Sequence, residues 1–370
     1  MSTKMNHNRR EMLASSLSLL ACSRFLSAHG PNQRRDVEWL DEIQTAPSKP
    51  PPDTPKLRPL LANGDGGPIT SLQQWKKRRA ELREWWLDFL HPLDVRDNKT
   101  PSLEVLAEDR DAGVIRQLVR YEVEPEIFTE AYLLKPIKSE KKLPAVAVFH
   151  STVNHSIRQP AGVEGKPEKA FGLKLAQRGY VAFCPRNYLW PTNHKIQADQ
   201  ETKRFHARRP KCKGMAKMLH DAMVAVDILA AQPEVDLTRI GSIGHSLGAK
   251  EVLYLAAFDE RVQVTISSEG GIGTRFSNWD ASWYLGPTIK ELSFDHEHHE
   301  LLGLIAPRPF LLVGGDSADG ARSWPYIGEA LPCYRLYEDK PRLGLFNHKR
   351  GHSMPPEAEM RCYEWLTTYL

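Results

Sequence analysis

From Leu143 onward the apolar positions fall into two alternating kinds of block. "LPAVAVFH" (143–150) is a nearly unbroken apolar run, the pattern of a strand buried on both faces. "EKAFGLKLAQRGY" then carries apolar residues at helical spacing and closes on Gly179, and "YVAFCP" returns to a short run. The same alternation continues through a helix at "KGMAKMLHDAMVAVDILAAQ", a strand at "RIGSIGH" and a helix at "LGAKEVLYLAAF". It ends with a strand at "RVQVTISSEG", a helix around "HELLGLIA", strands at "RPFLLVGGD" and "LGLFN", and a C-terminal helix. Strand–helix alternation at this spacing predicts an α/β fold, a mostly parallel central sheet with helices on both faces.

The preceding part reads differently. "TAPSKPPPDTPKLRPLLANGDGGP" (45–68) is rich in Pro and Gly and predicts a linker or an extended wrap over the surface. "SLQQWKKRRAELREWWLDFL" (71–90) predicts a helix capped by Ser71. "SLEVLAEDRDAGVIRQLVRYEVE" and "FTEAYLLKP" predict an antiparallel edge leading into the sheet. The expected organisation is an export label over 1–28, a linker and helix over 29–100, and a catalytic domain over 101–370.

The label is "NRREMLASSLSLLAC": paired Arg9 and Arg10, then an apolar run to Cys22 of signal-peptide length. Cys22 offers a lipidation point and Ala28 a cleavage point, so the expected location is the periplasm or envelope of a bacterium. Membrane attachment is expected only through a lipidated N-terminus. Composition adds exclusions. A hydrophobic fraction of 41% with 26% charged residues suits a folded domain, and a net charge of +4 over 370 residues offers no nucleic-acid footprint. The five cysteines form no Cys-x-x-Cys pair, which argues against a redox motif or structural zinc.

Chemistry gathers at the strand ends. In "RIGSIGHSLGAKEVLYLAA" a serine stands between an apolar strand and an apolar helix, with glycine two residues to either side. Such a turn presents Ser246 as a nucleophile and frees the Leu247 N–H for an oxyanion. A second donor is expected from the backbone of Ser151 or Thr152, after the strand at 143–150. The histidine that takes the serine proton is expected beyond the last strand, and His352 is preferred to His348. For the acid, Asp319 is preferred because it stands just before the next helix, with Asp316 and Glu269 as rivals. "FDHEHHELL" places His296, His298 and His299 among acids, but without the spacing of a metalloprotease helix. No metal and no cofactor are expected.

These stretches resemble the α/β-hydrolase superfamily, and within it the bacterial dienelactone-hydrolase-like and acetyl-xylan-esterase-like branch. The resemblance is carried by "VDLTRIGSIGHSLGAKEVLYLAAFDERV", "LIAPRPFLLVGGD" and "GHSMPPEAEMRCYEWL" and covers about 130–370. It implies serine-dependent cleavage of a carboxylic ester, on a carbohydrate of the acetyl-xylan kind. The aspartate spacing in "GDSAD" is one residue longer than that branch uses. A second resemblance is to glucuronoyl esterases, where a lysine follows the nucleophile by four positions and a glutamate can follow the next strand. Lys250 and Glu269 stand at those places, whereas Leu247 replaces the arginine of that family. The resemblance makes Lys250 and Glu269 candidates for substrate binding, and Trp279, on a loop after a strand, is a candidate for stacking on a sugar ring. Tyr188, Trp190, Trp283 and Tyr284 are further aromatics on the loops. A polysaccharide or small-molecule ester is the expected partner. A prolyl-oligopeptidase-like peptidase is disfavoured because the roughly 100 residues before the domain cannot build a propeller, and a silent binding fold is the remaining alternative.

Overall fold

The computed structural model describes residues 36–49, 55–94, 101–138, 141–191 and 195–370, all within one compact unit. The expected export label, with Arg9, Arg10, Cys22 and Ala28, lies outside them. Among the described residues no helix is long and apolar enough to cross a membrane, and Cys184, Cys212, Cys333 and Cys362 are unbridged.

Nine strands form one sheet: β1 (Glu104–Asp111), β2 (Val114–Glu124), β3 (Ile127–Pro136), β4 (Leu143–Phe149), β5 (Val181–Pro185), β6 (Val235–His245), β7 (Val262–Ser268), β8 (Phe310–Gly314) and β9 (Leu343–Asn347). Their spatial order is β1-β2-β3-β5-β4-β6-β7-β8-β9. The first three pair antiparallel, β3 meets β5 antiparallel, and every pair from β5 to β9 is parallel. The sheet follows the sequence pattern closely. β4, β5 and β8 are almost wholly apolar runs buried on both faces, whereas β1, with charged residues at most positions, is exposed along its whole length at the edge.

The helices are α1 (Leu40–Ile43), α2 (Leu72–Leu90), α3 (Phe171–Gln177), α4 (Ala198–Arg208), α5 (Gly214–Ala231), α6 (Leu247–Phe258), α7 (His299–Ile305), α8 (Trp324–Arg335) and α9 (Pro356–Tyr369). Alternate residues of each strand point to opposite faces. Val146, Val148, Ile243, Ile266, Leu311 and Val313 therefore pack under α1, α3 and α9, while Ala145, Ala147, Phe310 and Leu312 face α5 to α8. α2 lies outside that second layer. It starts with a capping box between Ser71 and Gln74, and it buries Trp75 and Trp86 against the α6–α7 region. The helix that precedes the sheet in sequence is thus part of the same core.

One segment is more ordered than its composition suggests. The basic stretch 195–217 contains α4. Thr202 and Phe205 are buried on its inner side, Asp199 and Glu201 open it, and His206 and Arg208 close it, in the sense that favours a helix dipole. Its charge is also taken up locally: Arg208, Arg209 and Lys217 all lie within 4 Å of the buried Glu124 carboxylate.

Candidate active site

The carboxyl ends of β4, β6, β7, β8 and β9 open onto one edge of the sheet, the place where parallel α/β sheets hold functional groups. β6 passes into α6 with no intervening loop, and Ser246 is the single joining residue, at φ 61° and ψ −114°. A left-handed φ on a serine costs on the order of 1–3 kcal/mol and persists only where surroundings enforce it. Two glycines permit it here. A Cβ on Gly244 would stand 2.1 Å from the Gly248 carbonyl oxygen, and one on Gly248 would stand 2.4 Å from that of Phe149. The Ser246 N–H donates to the Ser268 carbonyl at 2.8 Å, which ties the elbow to β7. Leu247, first residue of α6, has no intrahelical carbonyl within reach of its N–H.

β7 ends at Ser268, and the next residue, Glu269, also has a left-handed backbone, φ 56°. Its carboxylate is 1% exposed, accepts from the Gly315 N–H and, at 2.7 Å, from the Ala318 N–H, and lies 3.2 Å from Nδ1 of His352. His352 sits after β9 with its side chain 42% exposed. The imidazole is therefore gripped on one edge by a buried carboxylate and is partly open to solvent.

Asp319 does not occupy that place. Its carboxylate is buried and accepts from the Gly271 and Ile272 N–H groups at 2.7 and 2.8 Å and from the Ser323 hydroxyl at 2.8 Å. Burial holds its carboxyl above the usual range. The longer "GDSAD" turn carries Asp319 back under the β7 loop, so it braces that loop instead of meeting the histidine. Asp316, at φ 63°, accepts from Asn347 and Ala321 and likewise shapes the turn. His348, the rival base, accepts the Arg350 N–H on Nδ1, and burial lowers its pKa.

On the other side of the elbow, His150 ends the β4 run. Its Nε2 accepts the Asn187 N–H at 3.2 Å, which leaves Nδ1–H to donate to the Ser151 carbonyl at 2.8 Å. Burial pulls its pKa to about 4, so it is a neutral brace for the loop that carries Ser151 and the exposed Thr152.

Lys250, one turn beyond Ser246, is 4% exposed, with Nζ 3.9 Å from the centre of the Trp279 ring and 4.9 Å from that of Tyr284. Nζ has no hydrogen-bond partner among the described residues, and burial draws its pKa down to about 7 against the opposing pull of Asp319. Trp279 is itself 1% exposed and donates Nε1–H to the Gly271 carbonyl. Trp190 and Tyr284 are buried too, so Tyr188 and Trp283 are the partly open members of the aromatic set. The three histidines of "FDHEHHELL" are each engaged separately. His296 stacks on Trp85 and pairs with Glu300, His298 joins Tyr254 to the Ile272 carbonyl, and His299 reaches the Arg58 carbonyl. No metal-binding group of three is found among the described residues.

One feature at this edge went unread in the sequence. His245, immediately before Ser246, is buried between Ser268 Oγ at 3.0 Å and Lys169 Nζ at 2.9 Å. The signal was present in "GHSLG": a polar ring at the end of an apolar strand requires partners.

The dienelactone hydrolase family matches residues 129–280, from β3 through Ser246 and Glu269. The fold is that of the α/β-hydrolases. YtaP of Bacillus subtilis (strain 168), described as a hydrolase, is 25% identical over 282 residues, covering 70% of this chain and 91% of its own. Carbohydrate esterase MZ0003, from an unknown prokaryotic organism, is 23% identical over 304 residues, with 67% and 70% covered. A 4-O-methyl-glucuronoyl methylesterase of Sodiomyces alcalophilus is 31% identical, over 24% of this chain and 23% of its own. Among solved structures, a glucuronoyl esterase from Solibacter usitatus superposes with a TM-score of 0.67 at 17% identity, covering 87% of this chain and all of the other. At that identity the likeness speaks for the fold. By sequence the chain is thus related to the dienelactone-hydrolase family, to a carbohydrate esterase and, over a shorter stretch, to a glucuronoyl methylesterase.

Proposed function

We propose that this α/β-hydrolase cleaves carboxylic esters of carbohydrates through a Ser246–His352–Glu269 triad, with uronate methyl esters of the glucuronoyl kind as preferred substrates. The observation that carries the reading is the 3.2 Å approach of Glu269 to His352 Nδ1, from the end of β7. That is where the resemblance to glucuronoyl esterases expects a glutamate, and it replaces Asp319 as the acid. Lys250, buried one helical turn from Ser246 with no hydrogen-bond partner among the described residues, supports an oxygen-rich ligand in the same region.

The chemistry follows from the parts. His352 takes the Ser246 hydroxyl proton as Oγ bonds to the ester carbonyl carbon. The backbone N–H of Leu247, with one from the Ser151–Thr152 loop, stabilises the developing oxyanion. Glu269 stabilises the imidazolium, which then gives its proton to the leaving alcohol as the ester C–O bond breaks. Water, deprotonated by His352, releases the acid and restores Ser246.

Acetyl-xylan esterase activity is the second reading, suggested by the sequence resemblance around Ser246 and His352. Both are tested by measuring methanol released from methyl glucuronate esters and acetate released from acetylated xylan, for wild type and Ser246→Ala. Serine-dependent methanol without acetate supports the first reading. Acetate without methanol overturns it in favour of the second.

A further inference from the structure

Two catalytic elements of this site, the elbow at Ser246 and the loop bearing His352, come from distant parts of the chain. Lys169 stands between them. It ends a single turn at Pro167–Lys169, after β4, and its Nζ lies 2.9 Å from His245 Nε2 and 3.5 Å from the carbonyl oxygen of His352. Burial lowers the pKa of Lys169, while nearby Glu269 opposes that shift, so the ammonium also sits within the field of that carboxylate.

The protonation pattern is fixed by the partners. Lysine can only donate as an ammonium, so Nε2 of His245 accepts. Nδ1–H of His245 then donates to Ser268 Oγ at 3.0 Å, and the Ser268 carbonyl accepts the Ser246 N–H at 2.8 Å. Burial and the Lys169 charge hold His245 well below the usual imidazole pKa, which keeps it neutral as this chain of bonds requires. The His245 and His352 rings are packed at 4.8 Å between centres.

We propose that Lys169 is a positioning residue for catalysis: its ammonium pins the His352 backbone to the His245–Ser268–elbow network and so fixes the imidazole relative to Ser246. It touches no reacting atom. The inference rests on the Ser246–His352–Glu269 reading above. Because Lys169 is partly exposed on a short turn, its removal leaves the core intact, and misplacing a base by a fraction of an ångström lowers kcat without weakening ground-state binding.

The test compares Lys169→Met, Lys169→Arg, His245→Leu and the Lys169→Met/His245→Leu double variant in full-length protein. Readouts are kcat and KM on a chromogenic ester, the second-order rate of fluorophosphonate labelling, and thermal melting. Lys169→Met should lower kcat and labelling together, on the order of tenfold to a hundredfold, with KM and melting unchanged. Lys169→Arg should recover most of the loss, and the double variant should be no worse than the poorer single one. Wild-type kcat in Lys169→Met, or a loss confined to KM, overturns the inference. Ser246→Ala and His352→Ala run in parallel separate the two readings. If both stay active, the triad itself is wrong; if both are dead while Lys169→Met is normal, only the positioning role fails.

Discussion

Replacing Glu269 with glutamine, beside Asp319→Asn, separates the two acids by their contacts. Glu269 Oε2 lies 3.2 Å from His352 Nδ1. Unit charges at that distance attract by about 5 kcal/mol at an effective dielectric of 20. The 42% exposure of the His352 side chain admits solvent screening, which reduces the useful part to about 3 kcal/mol. Since each 1.4 kcal/mol is tenfold in rate, kcat should fall about a hundredfold or more. The Glu269→Gln amide would also carry an NH2 group into a pocket where Gly315 N–H, Ala318 N–H and His352 all act as donors to Glu269, so at least one N–H loses its acceptor whichever way the amide turns. Asp319→Asn disturbs a different set: the Gly271 and Ile272 N–H groups and Ser323. It should lower stability by about 1–3 kcal/mol while keeping kcat within severalfold. Initial rates on a chromogenic ester, with thermal melts on the same samples, give both quantities. A hundredfold loss in Asp319→Asn with a near-normal Glu269→Gln would refute the assignment.

Gly248→Ala would put a Cβ 2.4 Å from the Phe149 carbonyl; because backbone cannot yield cheaply, fluorophosphonate labelling should drop at least about a hundredfold and the melting point should fall. Lys250 has a folded-state pKa near 7, below its ordinary 10.5. Between those values the unfolded chain binds more protons than the folded one, so wild-type stability from this group rises with pH. The melting-point advantage of Lys250→Met over wild type should accordingly shrink as pH goes from 7 to 10; a constant difference across that range would show that Lys250 is not held in a charge-hostile site. Ser71→Ala removes the cap of α2 and should cost about 1 kcal/mol in chemical denaturation, with esterase activity unchanged.

The parallel sheet was legible because its strands are buried on both faces and read as apolar runs, and the elbow because Gly244 and Gly248 bracket Ser246 next to them. The position of His352 after the last strand was legible as well. Which carboxylate lies against it was not. Glu269 and Asp319 both follow apolar strands, and what separates them is how far the "GDSAD" turn folds back beneath Gly271, a matter of backbone path and not of residue type. α4 escaped notice because its apolar side is narrow, Phe205 with Thr202, amid a basic run whose charges are matched by Glu124 on β2. Lys169 lay hidden for a similar reason: a lysine in a polar loop gives no sign that it closes on His245, 76 residues away.

The central claim is that Ser246 is the nucleophile of this α/β-hydrolase, and trapping tests it most directly. The protein would be treated with a fluorophosphonate and the adduct located by peptide mass spectrometry, in wild type and His352→Ala. The account predicts one adduct, on the peptide bearing Ser246, formed far more slowly without His352. An adduct on another serine, or equal labelling of Ser246 in both proteins, would contradict it.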